Sequence, residues 1–488
     1  MTSLNSLLQR ANLPLVSQDH LITGITLDSR HVQPGFLFAA LPGTKTDGAQ
    51  YIQTAIKLGA RAVLVTTGTP FPENDHCLPI YCDNPRHALA IMAAAFFTNH
   101  PDHQIAITGT NGKTSTADFV RQLWTLQHLN VASIGTLGVI SNTAYQYTGP
   151  VLTTPDTISL HHILSDLTQY HVQHVVMEAS SHGLAQYRLD GIPLQAAGFT
   201  NLTRDHLDYH GDFEHYLQAK LRLFTEILPT QAIAGVNADI NPNILQKVID
   251  AITQRHQKLR LVGKQGSFLK LLSVSPLPEG QAIQIQTEDH HLYSATIPLL
   301  GRYQVDNILL ALALVAKDTK DIDRLIPLLP ALKGVRGRME QAAVLSNGAA
   351  VYVDYAHTPD ALAHLLQSLR PHTHNELYVI FGAGGDRDTG KRPLMAQEAA
   401  KYADHLIITD DNPRSEDPSQ IRQTIKMGCT TAIEIAGRES AIAQTLKMLQ
   451  KGDILVVAGK GHEQGQIIGD VTYPFDDVSI IQKHAGLL

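Results

Sequence analysis

Along the 488-residue chain, short apolar runs alternate with stretches whose apolar positions recur every three or four residues. These are the signatures of buried strands and amphipathic helices. Over the first hundred residues the pattern predicts strands at 35–41, 61–66 and 79–83 and helices near 49–58 and 85–99. A second series puts strands at 104–108, 131–135, 174–179, 196–201 and 232–236, with helices between them, including 114–127 and 215–224. Alternation at 283–287 marks additional short strands within 259–299, and 300–310 opens another helix. A third series, 351–355, 377–382, 405–410 and 453–458, again alternates with helices. Such repetition builds largely parallel sheets with ligands at the carboxyl ends of the strands. The expected fold is α/β in three domains: a small α/β domain at 1–100, a central domain with a mostly parallel sheet at 101–333, and a doubly wound, Rossmann-like domain at 334–488.

Length supports that division, since a chain of this size exceeds one core. With 38 basic against 45 acidic residues the formal charge is −7, so no global basic surface invites nucleic acid and any phosphate site must be made locally. Three cysteines, two of them five residues apart and one remote, fit neither a zinc site nor a disulfide framework and suit a reducing cytoplasm. The first twenty residues lack the pattern of a signal peptide. The longest apolar stretches, 88–97 and 308–316, fall short of the ~20 residues of a membrane helix, so no membrane span is expected.

Ile105-Ala-Ile-Thr-Gly-Thr-Asn-Gly-Lys-Thr-Ser115 carries the clearest chemistry. An apolar run ends in a glycine-rich turn that opens a helix, the order that cradles nucleotide phosphates, so the central domain reads as a P-loop-type ATPase. Gly109 and Gly112 can take conformations closed to other residues, Lys113 can neutralise β/γ-phosphate charge, and the Thr114 hydroxyl can reach Mg²⁺. The general motif is not met, because Ile107 stands where its first glycine belongs. Downstream strands end in Glu178-Ala-Ser-Ser-His-Gly and Thr200-Asn-Leu-Thr-Arg-Asp-His206, so Glu178 and His206 can act as Mg²⁺ ligands, with a hydrogen-bonding loop role the alternative for His206. Polar loops at 26–30 and 41–48 flank a strand and can grip a polar ligand, or Asp28 and Asp47 can simply shape turns. Two glycines and three cations within 331–340 place Arg338 beside ATP phosphate, unless the segment is only a flexible linker. Gly382 to Gly385 lack G-x-G-x-x-G spacing, which argues against a nicotinamide cofactor. Asp411-Asn-Pro-Arg414 reads by composition as an Asx-Pro turn with a surface arginine.

Several of these strings resemble the Mur ligase family, in its MurE-type branch: GTNGKTS, TLDSR, MEASSHGL, TNLTRDHLDYHG, GRYQVDN and DNPR occur in the family's order over nearly the whole chain. The resemblance implies an ATP-dependent, ADP-forming ligase of cytoplasmic peptidoglycan precursor synthesis, monomeric, that adds meso-diaminopimelate to the D-glutamate of UDP-N-acetylmuramoyl-L-alanyl-D-glutamate through an acyl phosphate. By the same resemblance Gly109, Thr110, Asn111, Gly112, Lys113, Thr114, Ser115, Asn307, Arg338, Asp354 and His357 serve ATP. Leu27, Ser29, Thr44, Lys45, Thr46, Thr153, Thr154, Ser180, Gln186 and Arg188 serve the UDP-muramoyl dipeptide. Lys113, Glu178, His206 and Lys220 are catalytic, and Thr114, Glu178, His206 and a carboxylated Lys220 ligate Mg²⁺. Arg387, Asp411, Asn412, Pro413, Arg414, Gly459 and Glu463 hold diaminopimelate. Gln304 replaces a family asparagine, Leu152 another, and Arg336 a proline. L-Lysine as the added amino acid, or a nucleotide-sugar sensor without turnover, are the competing readings.

Overall fold

A computed structural model describes residues 1–43, 46–74, 76–277 and 280–487, so the candidate contacts Thr44 and Lys45 lie outside the described residues. The chain packs as two compact units, one comprising residues 1–268 with 310–317, the other 269–309 with 318–488. Both are α/β with largely parallel sheets, as the alternating pattern requires.

In the first unit, a four-stranded parallel sheet runs in the order Gly24–Thr26, Phe36–Ala39, Ala62–Thr66, Leu78–Cys82. Helix Pro85–Phe96 begins as its sequence dictates, with Asn84 accepting from His87 N and proline at the first turn. The larger sheet of this unit is built on the parallel neighbours Lys258–Gly263, Ile233–Asn237, Ala196–Phe199, His103–Thr108, His174–Glu178 and Val131–Gly135, with Gly138–Ser141 antiparallel at one edge. Its central strand, His103–Thr108, delivers the glycine-rich turn into helix Lys113–Leu126.

In the second unit, strands Leu269–Leu277, Gly280–Thr287 and Leu292–Ile297 form an antiparallel meander. A six-stranded sheet follows in the order Glu340–Val344, Ala350–Asp354, Ile454–Ala458, Leu377–Phe381, His405–Ile408, Ile433–Glu434, parallel except for its first strand. Apolar clusters cover both faces, which explains why its inner strands read as unbroken hydrophobic runs. A two-stranded hairpin, Gly465–Ile468 with Val471–Pro474, is added near the end. The elements missing from the expectation include short ones: helix Leu4–Arg10, strands Gly24–Thr26, Gly138–Ser141 and Glu340–Val344, and this hairpin. Each is too short to establish a period.

A buried ion pair ties the last helix to this sheet. Arg438 donates to both oxygens of Asp477 at 2.7 Å and to Ala458 O at 2.9 Å, with neither side chain exposed. Asp477→Ala leaves a guanidinium buried without its anion, and the expected cost is about 3–5 kcal/mol. A urea titration followed by circular dichroism checks it; a midpoint unchanged from wild type would show that the pair contributes nothing.

Candidate active site

The glycine-rich turn is held open by backbone geometry that few residues tolerate: Gly109 has φ +141° and Gly112, which precedes the helix, φ +83°. Asn201 anchors the turn, accepting from Asn111 N at 2.9 Å and from Thr110 N, and Thr200 Oγ1 donates to Asn111 O at 2.6 Å. Thr110 Oγ1 takes Thr203 N at 3.0 Å and pairs with Tyr216 OH at 3.0 Å. The loop is therefore pinned from the end of the later strand Ala196–Phe199 and from helix Phe213–Arg222. Thr114 Oγ1 donates to Glu178 Oε2 at 3.0 Å, and Glu178 Oε1 accepts from Thr136 N at 2.8 Å. Glu178 is thus a buried carboxylate, 2 % exposed, beside the first turn of helix Lys113–Leu126.

Two lysines meet at one acceptor. Lys113 Nζ donates to Gly109 O at 3.0 Å and to Thr110 O at 2.8 Å, while Lys220 Nζ donates to the same Gly109 O at 2.7 Å. Lys220 is 1 % exposed and lies over the Tyr216 ring, 4.5 Å from its centre. Burial, helped by the Lys113 charge, holds the Lys220 ammonium well below the ordinary lysine range. His206 occupies a left-handed position, φ +50°, at the start of the short helix Leu207–His210; its Nε2 lies 3.5 Å from Asp205 and its ring 5.0 Å from that of His182. Thr114 and Glu178 are in direct contact, whereas Lys220 and His206 reach other partners, and among the described residues no group of three His, Cys, Asp or Glu side chains forms a metal-binding cluster.

The candidate dipeptide contacts converge on the backbone around Glu178. Thr154 Oγ1 donates to Glu178 O at 2.8 Å and accepts from Ser180 N at 3.0 Å; Thr153 pairs with Thr136 at 3.1 Å. Gln186 Oε1 accepts from Arg188 Nη2 at 2.7 Å, and Arg188 Nη1 donates to Thr154 O at 2.5 Å. Tyr209, which sequence reasoning did not single out, joins this network through Gln186 Nε2 at 3.0 Å. In the loops that follow strands Gly24–Thr26 and Phe36–Ala39, Ser29 is buried and Leu27 packs against the core, while Thr46 is exposed. Asp28 and Asp47 do shape turns: each accepts from the backbone two residues on, and Asp28 also holds Arg30.

In the second unit, Asn307 is buried on helix Arg302–Val315 and donates to Gln304 Oε1 at 3.5 Å, so the glutamine that departs from the family pattern is its partner. Arg338 lies over the Tyr355 ring, 4.8 Å from the guanidinium carbon to the ring centre, and His357 and His462 pack on the same ring. Asp354 is committed to backbone: Met339 N at 2.7 Å and Ala356 N at 2.8 Å take its two oxygens, fixing the loop that presents Arg338. Burial nevertheless raises its carboxyl above the usual range. Arg336 is paired with Asp476 at 2.6 Å.

The Asp411–Arg414 loop is tied to its neighbours by hydrogen bonds from both backbone and side chains. Gly385 N donates to Asn412 O at 2.9 Å, and a Cβ on Gly385 would stand 1.9 Å from Pro413 O, so only glycine allows the approach. Arg414 has φ +51°, pairs through its backbone with Ile467 O and Gly469 N of the hairpin, and donates from Nη1 to Gly385 O at 2.8 Å. Asn412 is buried between Glu463 Oε2 at 3.0 Å and Lys460 Nζ at 2.9 Å. Asp411 lies against Gly459, where a Cβ would be 2.7 Å from Oδ2. Arg387 is exposed on the adjoining loop. Lys460, fully buried, is the residue that sequence reasoning passed over, although a lysine between two glycines beside two claimed positions was a usable signal.

Family models match three consecutive segments: "Mur ligase family, catalytic domain" at residues 21–97, "Mur ligase middle domain" at 107–315 and "Mur ligase, glutamate ligase domain" at 337–461. A Zymomonas mobilis protein named UDP-N-acetylmuramoyl-L-alanyl-D-glutamate–2,6-diaminopimelate ligase is 46 % identical over 470 residues, covering 96 % of this chain and 95 % of that one. A Caulobacter vibrioides protein of the same name is 46 % identical over 467 residues, covering 94 % and 95 %. A solved structure carrying that name superposes with a TM-score of 0.70 at 33 % identity over 95 % of both chains. The Thermotoga maritima MurF ligase in complex with ADP, at 17 % identity, TM-score 0.60 and coverage of 95 % and 97 %, shares the fold.

Proposed function

We propose, from the premise that this chain belongs to the Mur ligase family, the following division of labour among its residues. The enzyme is an ATP-dependent acid–amino-acid ligase that adds 2,6-diaminopimelate to UDP-N-acetylmuramoyl-L-alanyl-D-glutamate. A carboxylate resists attack by an amine, so the glutamate carboxylate first takes the γ-phosphoryl group from ATP. The carboxylate oxygen bonds to phosphorus, the bond to the β-phosphate oxygen breaks, and ADP leaves. The amine then attacks the acyl carbon, the carbon–oxygen bond to phosphate breaks, and the ammonium proton is lost as the amide forms.

Phosphoryl transfer depends on charge neutralisation and alignment more than on covalent help. We assign the first to Lys113, whose Nζ spans the mouth of the turn, with the backbone amides of residues 109–115 cradling the phosphates. The donor set fits Mg²⁺: a buried carboxylate at Glu178 with a hydroxyl at Thr114 3.0 Å away offers the hard oxygens that ion takes. Thr114, Glu178, His206 and a carboxylated Lys220 are the residues we assign to Mg²⁺, which would neutralise the phosphate oxygens and the acyl oxygen. Thr153, Thr154, Ser180, Gln186 and Arg188 position the dipeptide next to that carboxylate, Leu27, Ser29 and Thr46 hold the uridine end, Asn307 serves the adenine of ATP, and Asp354 and His357 its ribose and phosphates. Arg338, stacked on Tyr355, serves its phosphates. No helix among the described residues is long and apolar enough to cross a membrane, and we read the enzyme as a cytoplasmic monomer.

The contact between Thr114 and Glu178 at the foot of the phosphate loop carries this reading, because it joins the nucleotide element to the dipeptide network. The test is phosphate release measured across candidate amino acids. Release is expected only with ATP, dipeptide and diaminopimelate together. Equal turnover with L-lysine would move the specificity to lysine, and binding of the nucleotide sugar without release would make the chain a sensor.

A further inference from the structure

The side-chain cluster joining Asp411–Arg414 to Gly459–Glu463 contains one group that no substrate role explains. Lys460 has no exposed surface, and a buried ammonium is costly unless its hydrogen bonds are made. Its Nζ donates to Asn412 Oδ1 at 2.9 Å and to Glu463 Oε2 at 3.1 Å. The same Oδ1 accepts from Ile467 N at 2.9 Å, so the amide of Asn412 has one orientation, with Nδ2 turned to Glu463 Oε2 at 3.0 Å. Glu463 Oε2 thus holds two donors, while among the described residues none donates to Oε1. The Glu463 side chain is one-third exposed, at 34 %. One oxygen of this partly exposed carboxylate is bound into the protein, and the other has no donor among the described residues.

We propose that Lys460 is a positioning residue for amino-acid recognition: by fixing Asn412 and holding Glu463 Oε2, it aims Glu463 Oε1 at the ammonium on the far end of a diamino dicarboxylate. The inference deepens the reading of this pocket given above and rests on it. Arg414 then reads the far carboxylate and Glu463 the far ammonium, so the pair recognises a complete second amino-acid head. A hydrogen bond to a charged group is worth enough to discriminate by about 10–100-fold against a ligand lacking it.

The test compares meso-diaminopimelate with 2-aminopimelate, which keeps an amino-acid head for the reaction and the far carboxylate but lacks the far ammonium. Wild type is expected to favour diaminopimelate by about 10–100-fold in kcat/KM. Lys460→Met is expected to raise KM for diaminopimelate by about that factor and to bring the ratio near one, with KM for ATP and for the dipeptide changed by less than about twofold; Lys460→Arg restores part of the ratio. An unchanged ratio in Lys460→Met, or three KM values rising together, overturns the proposal. So does failure of both Lys460→Met and Lys460→Gln to accumulate as folded protein, which is what a lysine needed only for folding gives. Wild-type enzyme that turns over L-lysine and neither pimelate defeats the amino-acid assignment itself, and Lys460's role falls with it.

Discussion

Alanine at Lys113 or at Lys220 is expected to slow phosphate release by about 10³-fold or more, and only the second loss is expected to be repaired in part by formate or acetate. The two ammonium groups share Gly109 O at 3.0 and 2.7 Å, a like-charge pair in a site from which one of them is almost wholly excluded from water. Such a pair is unfavourable as drawn. Burial first and the Lys113 charge second push the Lys220 side chain toward the neutral amine. A neutral amine adds to CO₂ and loses a proton to become a carbamate, which turns the repulsive pair into an attractive one and supplies oxygens where Mg²⁺ is proposed. Added carboxylate can occupy the space vacated by Lys220→Ala and replace those oxygens, whereas nothing in that treatment replaces the cation lost in Lys113→Ala. Steady-state phosphate release with a titration of formate decides it. Full activity in Lys220→Ala, or equal rescue of both variants, would rule out the carbamate.

What the sequence disclosed followed from period and from rare strings. Inner strands such as 131–135 and 454–458 are buried on both faces, so their hydrophobicity is continuous and their limits lie within a residue of those expected. The glycine-rich turn was equally legible, because Gly109 and Gly112 sit at positive φ and a side chain would be strained there. Partnerships made across the fold were not legible. Tyr216 reaches Thr110, and Asn201 reaches Asn111, over separations of 106 and 90 residues that leave no local signal. Lys460 reaches Asn412 across 48 residues, a pairing that its glycine-flanked position does not reveal. Asp28 and Asp47, by contrast, act within two residues of themselves, and their turn-shaping role was open to inspection from the start.

Arg414→Ala is expected to remove most of the preference for diaminopimelate over L-lysine. The two amino acids differ by one carboxylate on the far carbon, and a site that offers a buried donor pair for it penalises the ligand without it by ~10⁴-fold or more. Arg414 is prepared for that task by its backbone: the left-handed φ of +51° and the pairing with Ile467 O and Gly469 N turn its side chain onto Gly385 O through Nη1. Among the described residues Nε and Nη2 make no hydrogen bond, which leaves one edge of the guanidinium for a two-point contact with a carboxylate. Removing it deletes both hydrogen bonds for diaminopimelate and the penalty for lysine at once, so kcat/KM should fall by about 10²–10³-fold for the first and rise by about 10-fold or more for the second. Arg414→Lys keeps the charge without the fork and should fall between, because a point charge cannot reproduce two parallel bonds. Competition kinetics with both amino acids measures the ratio directly. A ratio in Arg414→Ala within threefold of wild type would move recognition of the far carboxylate to Arg387, the other guanidinium assigned to this pocket.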